Sequence, residues 1–194
     1  MSITRIFIDM DGVIANCSQA AARAYKVDYD PAGEYEYGWI TDAYNRLHPD
    51  EPIGHGAFTR LVSAVPGFWT KIEFYPWAKD LVRWLDTAVP CEWRFLTKCI
   101  DRAECPAGKF VSLVDEFGME TARRAIMVWD RKEVCCRPGD ILIDDDERNR
   151  VAWRAVGGIC YNWRELGPDH PEAQQQVQQC ARFCLEHTNR NVGT

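Results

Sequence analysis

Short apolar runs alternate with stretches that repeat at helical spacing along most of the chain. Arg5–Asp9, Trp93–Thr97, Ala125–Trp129, Ile141–Asp144 and Gly158–Tyr161 read as strands. Ser18–Tyr25, Ala78–Thr87, Gly108–Phe117, Arg148–Val156 and Glu172–His187 read as helices. Leu81, Val82, Trp84 and Leu85 form an apolar stripe on the second helix, and Phe110, Val111, Val114 and Phe117 form one on the third. Strands that are continuously apolar and separated by helices predict an α/β fold whose parallel sheet is covered on both faces. Such sheets bind ligands beyond the carboxyl ends of their strands. Asp9, Thr97 and Asp144 all fall there.

Residues 28–76 break the alternation. They are rich in Tyr, Trp, Gly, Pro and His, hold no convincing strand, and are too long for a plain connection. The expectation is a small helical cap over 28–76, inserted into a core made of 1–27 and 77–194.

Composition narrows the choices. Hydrophobic residues make up 46% of the 194 residues and charged residues 27%, enough for a core of ordinary size. The formal charge of -6 argues against binding long nucleic acid, which needs basic residues against phosphates. No apolar run approaches a membrane span and the N-terminus leads straight into a strand, so neither a membrane nor a signal peptide is expected. The nine cysteines include no CxxC pair, and Cys180 and Cys184 share one helix face. Reduced, buried thiols in a cytoplasmic protein are expected.

The first strand ends in Asp9-Met10-Asp11-Gly12. Carboxylates at i and i+2 point to one face and repel unless a cation or shared proton intervenes. The string fits a polar turn, a calcium loop or a magnesium-assisted phosphoryl-transfer site with Asp9 as nucleophile. The calcium loop lacks its closing Glu, since Ala20 stands at that position. Later features favour the third reading. Thr97 ends a strand where its hydroxyl can meet a phosphate oxygen. Lys109 is expected at the opening of the next helix, where ammonium and helix N-terminus together attract an anion. "GDILIDDD" then ends a third strand in acids.

The order DxDGV, strand-end Thr, Lys, strand-end DD resembles the haloacid dehalogenase superfamily of aspartate-nucleophile phosphatases. "IDMDGVIAN" (8–16), "PGFWTKIEFYPWAKDLV" (66–82), "CPAGKFVSLVDEFG" (105–118) and "GDILIDDD" (139–146) are similar to the 5'(3')-deoxyribonucleotidases. The likeness spans roughly residues 3–160. It implies a Rossmann-like three-layer core, Mg²⁺ as cofactor, and hydrolysis of a nucleoside monophosphate through an aspartyl-phosphate. It makes Asp9 the nucleophile and Asp11 the general acid-base. Thr97 and Lys109 would bind phosphate, and Asp9, Asp11 (through its carbonyl), Asp144 and Asp145 would form the metal site, with Asp145 the direct ligand of the last pair. Phe68 and Trp69 would meet the base. Beside the resemblance, Trp39 and Tyr37 are candidate aromatic neighbours of that pair.

Asn16 stands where the family commonly has Asp, and Lys98-Cys99 where Ser-Pro is usual. Around Lys132 the correspondence shifts by one residue, which leaves Arg131 and Lys132 without a role. The alternatives are a related phosphatase acting on a sugar phosphate or a nucleic-acid end, and a phosphate-binding protein without turnover.

Overall fold

The computed structural model describes residues 4–54, 62 and 64–189. Five strands build one parallel sheet: β1 (Ile6–Ile8), β3 (Trp93–Lys98), β4 (Ala125–Val128), β5 (Ile141–Asp144) and β6 (Ile159–Asn162). Their order is β4-β3-β1-β5-β6, with β1 at the centre. Ile8 lies in register with Phe95 on one side and Ile143 on the other, so Asp9 leaves the sheet beside the ends of β3 and β5.

Alternation along these strands divides the apolar residues between two faces. Ile6, Ile8, Phe95, Ile141 and Ile143 enter the main core. Helices α1 (Cys17–Tyr25), α3 (Ala78–Ala88), α4 (Glu104–Ala122) and α6 (Ala173–Asn189) contribute to it Ala21, Leu81, Leu113 and the Cys180–Cys184 pair. Phe7, Leu96 and Leu142 point the other way, where Trp153 of α5 (Glu147–Ala155) seals a smaller cluster. Each such large side chain contributes about 1.5–3 kcal/mol when fully buried. The strands and helices expected from the pattern are all present, with ends displaced by a few residues. All nine cysteines are free. No helix among the described residues is long and apolar enough to cross a membrane.

Two details correct the sequence reading. Residues 28–76 do hold a strand: β2 (Glu34–Tyr35) pairs antiparallel with β7 (Glu165–Leu166). Two-residue strands carry too little periodicity to be seen, and their pairing is long-range. Arg164 locks this ribbon with ion pairs to Glu34 and Glu172, each at 2.7 Å. The second correction concerns α4, which starts at Glu104 rather than Gly108, so Lys109 lies in its second turn and does not open it. Gly118, at φ 82°, interrupts that helix one residue after the expected end at Phe117. Residues 28–76 also hold α2 (Trp39–Leu47) and a 3₁₀ turn at Phe68–Thr70. Residues 55–61 and 63 lie outside the described residues.

Candidate active site

Asp9 follows β1 directly, and its backbone N–H donates to the Ile143 carbonyl at 2.9 Å, which ties it to β5. Its carboxylate accepts from the Met10 N–H at 2.7 Å and from Lys132 Nζ at 2.6 Å. Lys132, fully enclosed, also reaches Asp144 Oδ2 at 2.7 Å. Burial works against the lysine's charge, but Asp144 and Asp9 outweigh it and its pKa is raised. Burial pushes the Asp9 carboxyl up to about 7, against the pull of Lys132.

Asp144 is saturated: Lys132, the Asp146 N–H and the Asn149 amide occupy its oxygens. Asp145 is not so engaged, and its side chain packs against Gly12. Gly12 sits at φ 73°, and a Cβ there would lie 2.6 Å from the Asp145 carboxyl carbon. The turn therefore needs glycine for its backbone and for the approach of that carboxylate. Burial, then Glu165 and Asp144, push Asp145 well above the usual carboxylate range. Asp146 caps α5 and pairs with Arg148.

Asp9, Asp144 and Asp145 each offer an oxygen, all within 4.8 Å of one another. A set of hard carboxylate oxygens with one lysine among them suits Mg²⁺ or a similar oxygen-seeking cation. The residues fit the cofactor that the sequence resemblance implies.

Across the end of β1, Asp11 meets a second buried lysine. Lys109 Nζ donates to Asp11 Oδ2 at 2.5 Å, to Thr97 Oγ1 at 2.8 Å and to the Lys98 carbonyl at 2.7 Å. Burial opposes this ammonium, Asp11 and Cys105 favour it, and the net shift is upward. Asp11 Oδ1 is buried and meets no hydrogen-bond partner among the described residues. Buried polar atoms are nearly always paired, so this one is a place for a proton or an incoming group.

Of the residues singled out between 28 and 76, Trp69 faces this half, its ring centroid 5.0 Å from Lys109 Nζ. Gly108 and Ser112 of α4 seat it: a Cβ on Gly108 would fall 2.6 Å from Trp69 Cβ, and Ser112 donates to the Trp69 carbonyl at 2.7 Å. Phe68 packs edge-on against Trp69, and both rings are buried. Trp39 donates to Ser18 Oγ at 2.9 Å, while Tyr37 is exposed beneath the guanidinium of Arg148. Asn16 caps α1 by accepting from the Gln19 N–H.

Two residues of the site went unassigned in the sequence. Lys132 follows the end of β4, a strand whose end carries none of the residues singled out in the sequence. Its signal was a lysine where an α/β sheet gathers its ligands. Glu165, on β7, faces Ser18 and accepts from Tyr75 at 3.2 Å; burial raises its pKa to about 7. Nothing local in the sequence marks it.

The five-stranded parallel sheet with β1 at its centre, flanked by helices, matches the fold of solved haloacid dehalogenase-like hydrolases. Among solved structures, the chain is similar to a haloacid dehalogenase-like family hydrolase from Xanthomonas campestris, with TM-score 0.56 and 14% identity over 97% of this chain and 99% of that one. A HAD family hydrolase from Deinococcus radiodurans R1, solved with bound phosphate and sodium, gives 0.55 and 13% over 95% and 96%. A haloacid dehalogenase-like protein from Streptococcus pneumoniae gives 0.52 and 12% over 91% of each. No family model and no curated protein matches the chain.

Proposed function

We propose that the protein is a Mg²⁺-dependent phosphomonoesterase acting on nucleoside monophosphates, with residues 28–76 as its cap. The observation that carries this is the pair Asp9 and Asp11, each joined to its own buried lysine, at the end of the central strand. The phosphate held by the structurally similar Deinococcus radiodurans hydrolase supports the phosphorylated substrate.

Asp9, Asp145 and the Asp11 carbonyl would hold the metal, with Asp144, already engaged by Lys132 and Asn149, beside them. When bound, Mg²⁺ offsets the charge between a carboxylate and a dianionic phosphate and fixes their approach. Asp9 attacks phosphorus and forms the aspartyl-phosphate. Lys132 bridges Asp9 and Asp144, offsets their repulsion and holds the Asp9 carboxylate in place. Thr97 and Lys109 bind phosphate oxygens. Asp11, held through Oδ2 by Lys109, carries the proton on Oδ1, gives it to the leaving alkoxide, and later takes one from the hydrolytic water. Trp69, with Phe68 behind it, borders the space for the base.

The test is phosphate release from a panel of 5'- and 3'-nucleotides, sugar phosphates and p-nitrophenyl phosphate, with Mg²⁺ and with chelator. Nucleotides should give the highest kcat/KM, and chelator should stop turnover. Base–aromatic stacking contributes about 1–3 kcal/mol, so Trp69→Ala should cost about 5- to 150-fold on a nucleotide and far less on p-nitrophenyl phosphate. Equal losses on both would remove the base-binding part of the proposal.

A further inference from the structure

The turn that follows the two aspartates is gripped from outside by two tryptophans. Asp11 leads into Gly12, Val13 and Ile14, and the turn closes on itself through the Gly12 N–H to the Ala15 carbonyl at 3.0 Å and the Ala15 N–H to the Met10 carbonyl at 2.8 Å. These bonds do not use the carbonyls of Gly12 and Val13. Trp163 Nε1 donates to the first at 3.1 Å, and Trp77 Nε1 to the second at 2.9 Å.

The two donors come from separate parts of the chain. Trp77 stands where the chain returns from the insertion into α3, and Trp163 lies between β6 and β7. Both are nearly fully buried, at 2% and 1% exposure. Tyr75 stacks on Trp77 at 4.4 Å, donates its N–H to the Ile14 carbonyl at 2.8 Å, and donates its hydroxyl to Glu165 at 3.2 Å. The brace is therefore continuous with β7, the strand that pairs with β2 of the insertion.

A buried indole N–H needs some acceptor. Here, however, two indoles meet consecutive carbonyls, beginning with the residue next to Asp11. We propose that Trp77 and Trp163 are positioning residues of the reaction, whose N–H groups fix the Gly12–Val13 turn and so hold the Asp11 carboxyl in line with the leaving group. This rests on the reading of Asp9 as nucleophile and Asp11 as acid-base.

The experiment compares Trp163→Phe and Trp77→Phe, which keep apolar bulk and remove the donor, on a nucleoside monophosphate and on p-nitrophenyl phosphate. Misplacing a reacting group slightly costs up to about 100-fold, so kcat on the nucleotide should fall about 10- to 100-fold. KM should hold, and the activated ester, which needs little protonation, should lose much less. In an Asp11→Asn background the Phe substitutions should cost nothing further, because their effect passes through Asp11.

Equal loss on both esters, additive loss beside Asp11→Asn, or unchanged kcat would overturn the proposal. So would failure of both Phe variants to fold, read by circular dichroism, since the indoles would then be structural. A wild-type protein that releases no phosphate would overturn the phosphatase reading, and one that loses nothing on Asp9→Asn would overturn Asp9 as nucleophile; either takes this proposal with it. Asp9-dependent turnover with inert Phe variants would overturn this one alone.

Discussion

The two buried lysines stand on opposite flanks of the β1 end and meet opposite surroundings. Lys132 lies between two carboxylates with a third close by, so its flank holds more negative charge than one ammonium offsets. Lys109 meets one carboxylate, a hydroxyl and a carbonyl, and its flank is close to balanced. The first arrangement calls for another cation; in the second the Thr97 hydroxyl, which accepts from Lys109, keeps its own proton for an anion. In the proposed reaction the metal and nucleophile occupy one flank and the proton carrier the other. Gly12 is the hinge between them, touching Asp145 on one side and following Asp11 on the other.

The largest effect should come from removing Lys132. Lys132→Met leaves Asp9 and Asp144 buried and uncompensated, a loss of about 3–5 kcal/mol. At about 2–4 °C per kcal/mol, Tm should fall by about 6–20 °C. Lys109→Met should cost less stability, because Asp11 is partly exposed. A thermal scan of both variants checks the contrast, and equal falls would break it.

Next in size is Asp11→Asn, which should slow hydrolysis of an unactivated nucleotide by about 100-fold or more. Its effect on p-nitrophenyl phosphate should be much smaller. If both esters slow alike, the Lys109 flank does not carry the proton. Asp145→Asn acts on the other flank and should raise the Mg²⁺ needed for half-maximal rate, on the order of tenfold or more. A titration of rate against Mg²⁺ measures it, and an unchanged midpoint would exclude Asp145 as a ligand.

The smallest effect concerns pH. Asp9 and Asp145 bind protons more tightly in the folded chain than in the unfolded one, because burial raises both. Their contribution to stability is therefore present at low pH and lost as pH rises through the folded-state values. Without divalent metal, Tm should drop by a few degrees between about pH 5 and pH 7. Asp145→Asn should flatten that slope, and a Tm that rises over the range would contradict the assigned direction.

The sheet was legible because its signals are local. Ile6–Ile8 and Ile141–Ile143 are apolar runs with acids directly after them, and Phe95-Leu96 lead directly to Thr97. Asp9, Asp11, Thr97 and Asp144–Asp145 converge because parallel strands bring their carboxyl ends to one edge. Lys109 reaches Asp11 and Thr97 from the second turn of its helix, not from the helix N-terminus where the pattern puts it. Lys132, Glu165 and the β2–β7 ribbon were hidden because each depends on a long-range pairing. A lysine after a strand reads as a solvated charge until Asp9 and Asp144 are seen around it. The indole bonds of Trp77 and Trp163 are of the same kind, since a tryptophan in sequence shows its bulk but not its acceptor.

The central claim is that Asp9 takes the phosphoryl group while the opposite flank handles the proton. The most direct measurement is acid quench of the Asp11→Asn variant during turnover of a nucleotide, followed by peptide mass spectrometry. With hydrolysis of the intermediate slowed, a hydroxylamine-labile phosphate should be found on the peptide containing Asp9 and should disappear in the Asp9→Asn, Asp11→Asn double variant. Phosphate release that continues after Asp9→Asn, or a phosphate trapped on any other residue, would contradict the account.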